Sequence, residues 1–133
     1  MEWEAGMRIT DERMNDHTPV ALTSSPTPAA NFSVGSFTAY KSSGVTVFTV
    51  TLNYSGSTIT ADAAGNIADT ACCTLPSDCR PQATMNTAWD KSGAAVGAVR
   101  IQPSGLCQIT SLDPNATLAS GNTVNFCGTV ATG

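Results

Sequence analysis

Charge is what this sequence has least of. Lys, Arg, Asp and Glu make up 12% of its 133 residues, where an ordinary soluble domain carries about 25%. Six basic and ten acidic side chains leave a net charge of −4, so no basic stripe exists to neutralise phosphates, and a nucleic-acid partner is not expected. The same sign discourages docking on anionic lipid. No apolar run approaches the roughly 20 residues that cross a bilayer, so no membrane insertion is expected. The opening Met1-Glu2-Trp3-Glu4 lacks the basic region and apolar core of a secretory signal, and a soluble chain not exported by that route is expected. His17 is the single histidine, with no Ser or Cys nucleophile arranged around it. A Gly-rich phosphate loop, a metalloprotease helix and a calcium loop are all missing. The chain is therefore expected to be no enzyme, and to need no metal and no cofactor.

The few charges that are there are unevenly placed. Glu2, Glu4, Arg8, Asp11, Glu12, Arg13 and Asp16 fall within the first sixteen residues, and the rest are scattered over a nearly neutral body rich in Thr, Ser and Ala. Residues 1–22 read as an arm. Thr10 suits an N-cap, Asp11 and Glu12 suit the positive end of a helix, and Pro19 stops its continuation, which leaves room for one short helical turn. Such a turn cannot hold itself in water, so Trp3, Met7, Ile9 and Met14 need a surface, either this protein's body or a partner. Residues 23–30, with Pro26 and Pro28 among small polar residues, read as an extended, semi-rigid linker.

From Asn31 onward the period changes to two. In residues 45–54 Phe48, Val50, Leu52 and Tyr54 share one face, and Thr49, Thr51 and Asn53 share the other, the pattern of a half-buried strand. Weaker runs recur at 32–40, 58–61, 84–89, 95–102, 106–111 and 123–130. Pro103-Ser104-Gly105 supplies a hairpin connection, and Ser55-Gly56 and Ser120-Gly121-Asn122 read as comparable turns. These patterns predict a mainly β body over residues 31–133, an antiparallel β-sandwich of jelly-roll type, with Thr-rich faces outward.

Candidate chemistry is thin. Asp62, Asp69, Asp78, Asp90 and Asp113 each sit among turn residues, where Asp caps the backbone; a glycosidase pair among them has nothing to select it. The five cysteines, Cys72, Cys73, Cys79, Cys107 and Cys127, lack the paired spacing of a zinc site and read as small buried apolar residues, with one bridge in an oxidising medium left open. Tyr40, Tyr54 and Trp89 could form an aromatic platform for a sugar, against the alternative of core or subunit packing. Aromatic residues are only 6% of the chain. Burial between subunits would then supplement a thin core, with Phe37, Phe48, Phe126 and Trp89 filling either core or axis. Prolines restrict the backbone on both sides of Arg80, so Leu75, Pro76, Arg80 and Pro81 are expected to form an ordered segment in which Leu75 is buried and Arg80 reaches backbone carbonyls or an acid.

Two segments together resemble a known family. Trp3-Glu4-Ala5-Gly6-Met7-Arg8-Ile9-Thr10-Asp11-Glu12-Arg13-Met14-Asn15-Asp16-His17-Thr18-Pro19 is similar to the segment opening W-x-x-G-M-R-I-T-x-x-R-L-N in minor tail and other virion appendage proteins of tailed phages infecting actinobacteria, with Met14 where Leu is usual. The body resembles the small β-domain of the same proteins, through Thr74-Leu75-Pro76-Ser77-Asp78-Cys79-Arg80-Pro81 and Val99-Arg100-Ile101-Gln102-Pro103-Ser104-Gly105. Cys79 stands where Tyr is expected. The resemblance implies a structural protein of the virion, made in the cytoplasm of a bacterial host. Trp3, Met7, Arg8, Ile9, Arg13 and Met14 would anchor it to other virion proteins of tail or capsid, and the body would project as a homotrimer for host attachment, with a cell-surface glycan as one candidate receptor. A capsid decoration or head-fibre protein is the alternative placement, and a carbohydrate-active enzyme on a β-sandwich the rival of another class.

Overall fold

Alternation along residues 45–54 decides the architecture. Phe48, Val50, Leu52 and Tyr54 are buried, with the residues between them exposed or half-exposed, so this strand has one dry face and one wet face. A computed structural model describes residues 18–93 and 96–131. The arm residues Trp3, Met7, Arg8, Ile9, Arg13 and Met14, and the helical turn expected after Thr10, lie outside them.

The strands run β1 (Val20–Ala21), β2 (Thr27–Pro28), β3 (Phe32–Ser42), β4 (Val45–Tyr54), β5 (Ile59–Thr60), β6 (Asn66–Thr74), β7 (Met85–Asp90), β8 (Val96–Ile101), β9 (Leu106–Ser111), β10 (Thr117–Leu118) and β11 (Thr123–Ala131). A single 3-10 turn, Ser77–Cys79, is the only helical element among the described residues. Nine strands form one sheet in the order β1-β3-β4-β11-β7-β8-β9-β6-β2, and β5 pairs with β10 in a separate ribbon. Every ladder is antiparallel. The fold is mainly β and antiparallel, as the alternation predicts, and its layers belong to one curled sheet whose inner face closes over a single core.

Part of the segment expected to be an extended, semi-rigid linker pairs into that sheet. Val20 and Ala21 pair with Lys41 and Tyr40 at one sheet end, and the Leu22 N–H continues to the Ala39 carbonyl at 2.9 Å. Thr27 and Pro28 pair with Thr74 and Cys73 at the opposite end, and the Ala29 N–H reaches the Cys72 carbonyl at 3.0 Å. Pro26 is buried. A turn closed by the Phe32 N–H on the Ala29 carbonyl, 3.0 Å, then delivers the chain into β3, so residues 20–31 join the two ends of the sheet. This corrects the expected boundary at Asn31: the folded body includes Val20 onward, and the stretch assigned to residues 23–30 as linker is a seam. Proline is tolerated there because an edge strand needs few N–H donors, and two short strands blunt edges that would otherwise template aggregation.

One further strand, β6, escapes the alternation. Its ladder with β9 shifts register twice, the second time between Ala71 and Cys73. A bulge of this kind places two residues opposite one and re-aims side chains, and here consecutive residues Cys72 and Cys73 are both fully buried. The core they join contains Trp89, Phe48, Leu52, Leu75, Ile101 and Ile109. Phe48, Phe126 and Trp89 are buried within the chain itself and Phe37 packs against the same cluster. Four buried cysteines add to the filling that scarce aromatics leave short.

Candidate functional site

The two body segments, residues 74–81 and 99–105, meet in one joint. Leu75 leaves β6 fully buried, its N–H bonded to the Gly105 carbonyl at 2.8 Å. Its own carbonyl accepts from Arg80 Nε at 3.0 Å. Pro76, extended at ψ 160°, opens the 3-10 turn, which the Cys79 N–H closes on the Pro76 carbonyl at 2.9 Å. Arg80 then takes φ −90°, ψ 129°, the extended conformation that a following proline demands, and Pro81 is buried. Gly105 sits at φ +90°, and a Cβ there would stand 2.7 Å from both Arg80 Nε and the Leu75 carbonyl. The hairpin tip can approach only because this residue has no side chain. Leu75, Pro76, Arg80, Pro81 and Gly105 thus lock the end of β6 to the β8–β9 hairpin, and the bonded groups face one another.

Beside that joint lies a set of thiols. Cys73 is the direct partner of Cys107 across the ladder, the Cys72 thiol donates to the Cys107 carbonyl at 3.4 Å, and Cys79 is buried too. The neighbouring Cys107 thiol, and then that of Cys72, pull the Cys73 thiol below its usual range, with burial opposing. Hydrogen bonding to Cys73 and then burial hold Cys72 and Cys107 protonated. Burial, followed by the Asp78 charge, pushes Cys79 up to about 11. Among the described residues no group of three or more His, Cys, Asp or Glu could hold a metal ion. Cys127 is the exposed thiol.

The aromatic platform is not assembled. Trp89 is buried and its indole N–H donates to the Ser111 carbonyl at 3.1 Å. That crossing requires Gly97, where a Cβ would lie 1.9 Å from the same carbonyl oxygen. Tyr54 is buried against Phe32, ring centroids 5.0 Å apart, and its hydroxyl donates to the Ser57 carbonyl. Only Tyr40 is exposed. The period of two explains the correction: Tyr54 shares the inner face with Phe48, whereas Tyr40, paired with Val47, points out.

Each turn carboxylate has a structural partner. Asp62 Oδ1 accepts from the Ala64 N–H at 2.9 Å and the Asn66 N–H at 2.8 Å, and these bonds, Asn66 first, lower its pKa. Asp69 pairs with Arg100 at 3.0 Å and Asp78 with Lys41 at 3.7 Å. Asp90 accepts from Asn125 and Gly93, and Asp113 from the Val96 N–H.

A groove that no sequence pattern announces opens on the outer face. Strand β11 pairs with β4 over nine residue pairs but with β7 over two, Asn125↔Asp90 and Phe126↔Trp89. Where β7 and β11 part, a cavity of about 320 Å³ is lined by Thr49, Ala88, Val96, Phe126 and Cys127, with Asp90 as its carboxylate. A hydrolytic pair of acids would need a second one there. No family model matches the sequence, and no curated protein matches it.

Proposed function

We propose that this chain is a non-enzymatic structural protein of a tailed-phage virion, a surface appendage of the minor tail or fibre kind. Its arm attaches to neighbouring virion proteins and its β body, as a homotrimer, binds the host surface. The reading begins with the arm, Trp3 to Asn15, and with the two body segments that resemble such proteins. The observation that carries it is the joint between those segments. They are separated by seventeen residues in sequence, yet Leu75 bonds to Gly105 through its N–H and to Arg80 through its carbonyl, so the shared residues are the ones a common body would need to keep its shape. A hydroxyl-rich, weakly charged outer face suits adhesion by many weak contacts better than it suits chemistry.

The test is location. Antibody or a gold-labelled tag on the body should decorate intact particles at the tail, and a chain lacking residues 1–17 should keep its β circular-dichroism spectrum while failing to enter particles. Absence from purified particles overturns the proposal.

A further inference from the structure

Tyr40, Val45 and Val47 are 48%, 41% and 49% exposed, and all three stand on the same side of the sheet. Strands β3, β4 and β11 lie side by side in long ladders, whose register sets their outward residues in rows: Tyr40, Val47 and Thr129 in one, Thr38, Thr49 and Cys127 in the next. None of the outward positions of these three strands carries a charge. Lys41, at the opposite parity, turns away to Asp78 at 3.7 Å, whereas the outer side of β8 carries Arg100 with Asp69 at 3.0 Å. Depletion of charge around a Tyr is the composition of an interface core rather than of a solvated face, and large apolar side chains gathered in the open mark a contact.

A second copy of this chain suits that face on two counts. The first is chemical. Phe48, Phe126 and Trp89 are buried inside the protomer, so a contact between copies has to be made by other side chains, and a face without charge meets its own copies without repulsion although the chain carries −4 overall. The second is geometric. Packed sheets stand about 10 Å apart, so a sheet closing on a shared axis keeps its backbone about 5 Å from it. Three such sheets form a triangle with sides of about 17 Å, which is three to four strands at about 4.8 Å each. Strands β3, β4 and β11, with the short β1 beyond β3, supply that width. The middle strand, β4, then lines the axis with Val45, Val47 and Thr49, slim β-branched side chains that fit three abreast, and β3 of one copy meets β11 of the next. Threonine hydroxyls both donate and accept, so Thr49 can bond to its own copies around the axis.

We propose that the outer face of β3, β4 and β11 is the contact between copies of this chain, closed about a three-fold axis with Val47 at its centre. This rests on the homotrimer reading given above and adds the surface on which the trimer is made, leaving the charged outer side of β8 exposed.

Sedimentation of the full chain tests it. The native chain should run at about three times 13.6 kDa at micromolar concentration. Val47→Glu sets three carboxylates together on the axis and should run as the monomer, a three-fold fall in mass, with its β circular-dichroism spectrum kept because the position is exposed within the protomer. Asn86→Glu, at an exposed position of β7, should keep the native mass. If Val47→Glu loses the β spectrum, Tyr40→Glu in the same row decides the matter. A native trimer that both face variants leave intact overturns this face while the trimer stands, and so does a trimer that Asn86→Glu dissociates equally. A native dimer broken by Val47→Glu overturns the three-fold closure. A native chain that is monomeric overturns the homotrimer reading and this proposal together.

Discussion

Cys73 lies directly opposite Cys107 across the β6–β9 ladder, both side chains fully buried. Facing residues of an antiparallel pair have Cα atoms about 4.5–5.5 Å apart, inside the range a disulfide spans. The neighbouring Cys107 and Cys72 thiols also favour the thiolate of Cys73, which lowers its pKa. With oxidised glutathione during refolding, the Cys73 thiolate attacks the glutathione disulfide and releases one glutathione; the Cys107 thiolate then displaces the second. Two protons and two electrons leave the protein, and two glutathione thiols carry them. Thiol titration in denaturant should fall from the five cysteines of the sequence by two, peptide mapping should show Cys73 joined to Cys107, and the oxidised form should gain about 3–4 kcal/mol. Retention of every thiol, or a bridge through Cys79, would be the contrary result.

The joint around Gly105 should be stiffly intolerant. Leu75→Ala leaves a cavity at a fully buried site and should cost about 2–5 kcal/mol. Gly105→Ala forces a side chain into φ +90° and against Arg80, and should cost more than about 1 kcal/mol. Arg80→Ala should fall near 1.5–3 kcal/mol, as loss of a charged donor does. Urea midpoints at constant slope measure all three, and unchanged midpoints would mean that the joint is not needed.

How much of this could be read in the sequence depends on whether an element is held by its own pattern. Strand β4 could be, since Phe48, Val50, Leu52 and Tyr54 announce its inner face without help. Strand β6 could not: its bulge turns Cys72 and Cys73 to the same side and erases the alternation. The seam formed by Val20–Ala21 and Thr27–Pro28 was equally hidden, because two-residue pairings leave no periodicity and prolines suggested a linker. Cysteine burial followed from residue type, and Cys127 departs from it because its strand parity points outward. The groove lay beyond any local signal, being created by how far β11 stays paired to β7, which residues 35 or more positions apart decide.

Acid should weaken the protein partly through Asp62. Backbone bonds to its carboxylate put its folded-state pKa below the unfolded value. Its contribution is thus complete above the unfolded value and disappears as pH falls through the folded one. Melting temperature followed from about pH 5 to pH 2 should fall more gently in Asp62→Asn, whose amide oxygen still accepts the same N–H groups. An identical acid slope in both proteins would assign the loss to other carboxylates.

Light scattering on the purified chain should give about three times the monomer mass at micromolar concentration, with a melt that shifts upward as concentration rises. A monomer whose melt ignores concentration would remove the trimer, and with it the fibre-like form of the appendage.

Residues 20–31 join both ends of the sheet, and this governs how the protein bears load. A pull on the N-terminus enters through β1, held by two residue pairs and the Leu22 bond, and only then through β2. The long β3–β4 and β4–β11 ladders lie behind it. Tension is therefore met first by a pairing of only two residue pairs, which can yield, lengthen the tether and reform while the core stays shut. Force spectroscopy would register this as a small early extension ahead of the main rupture.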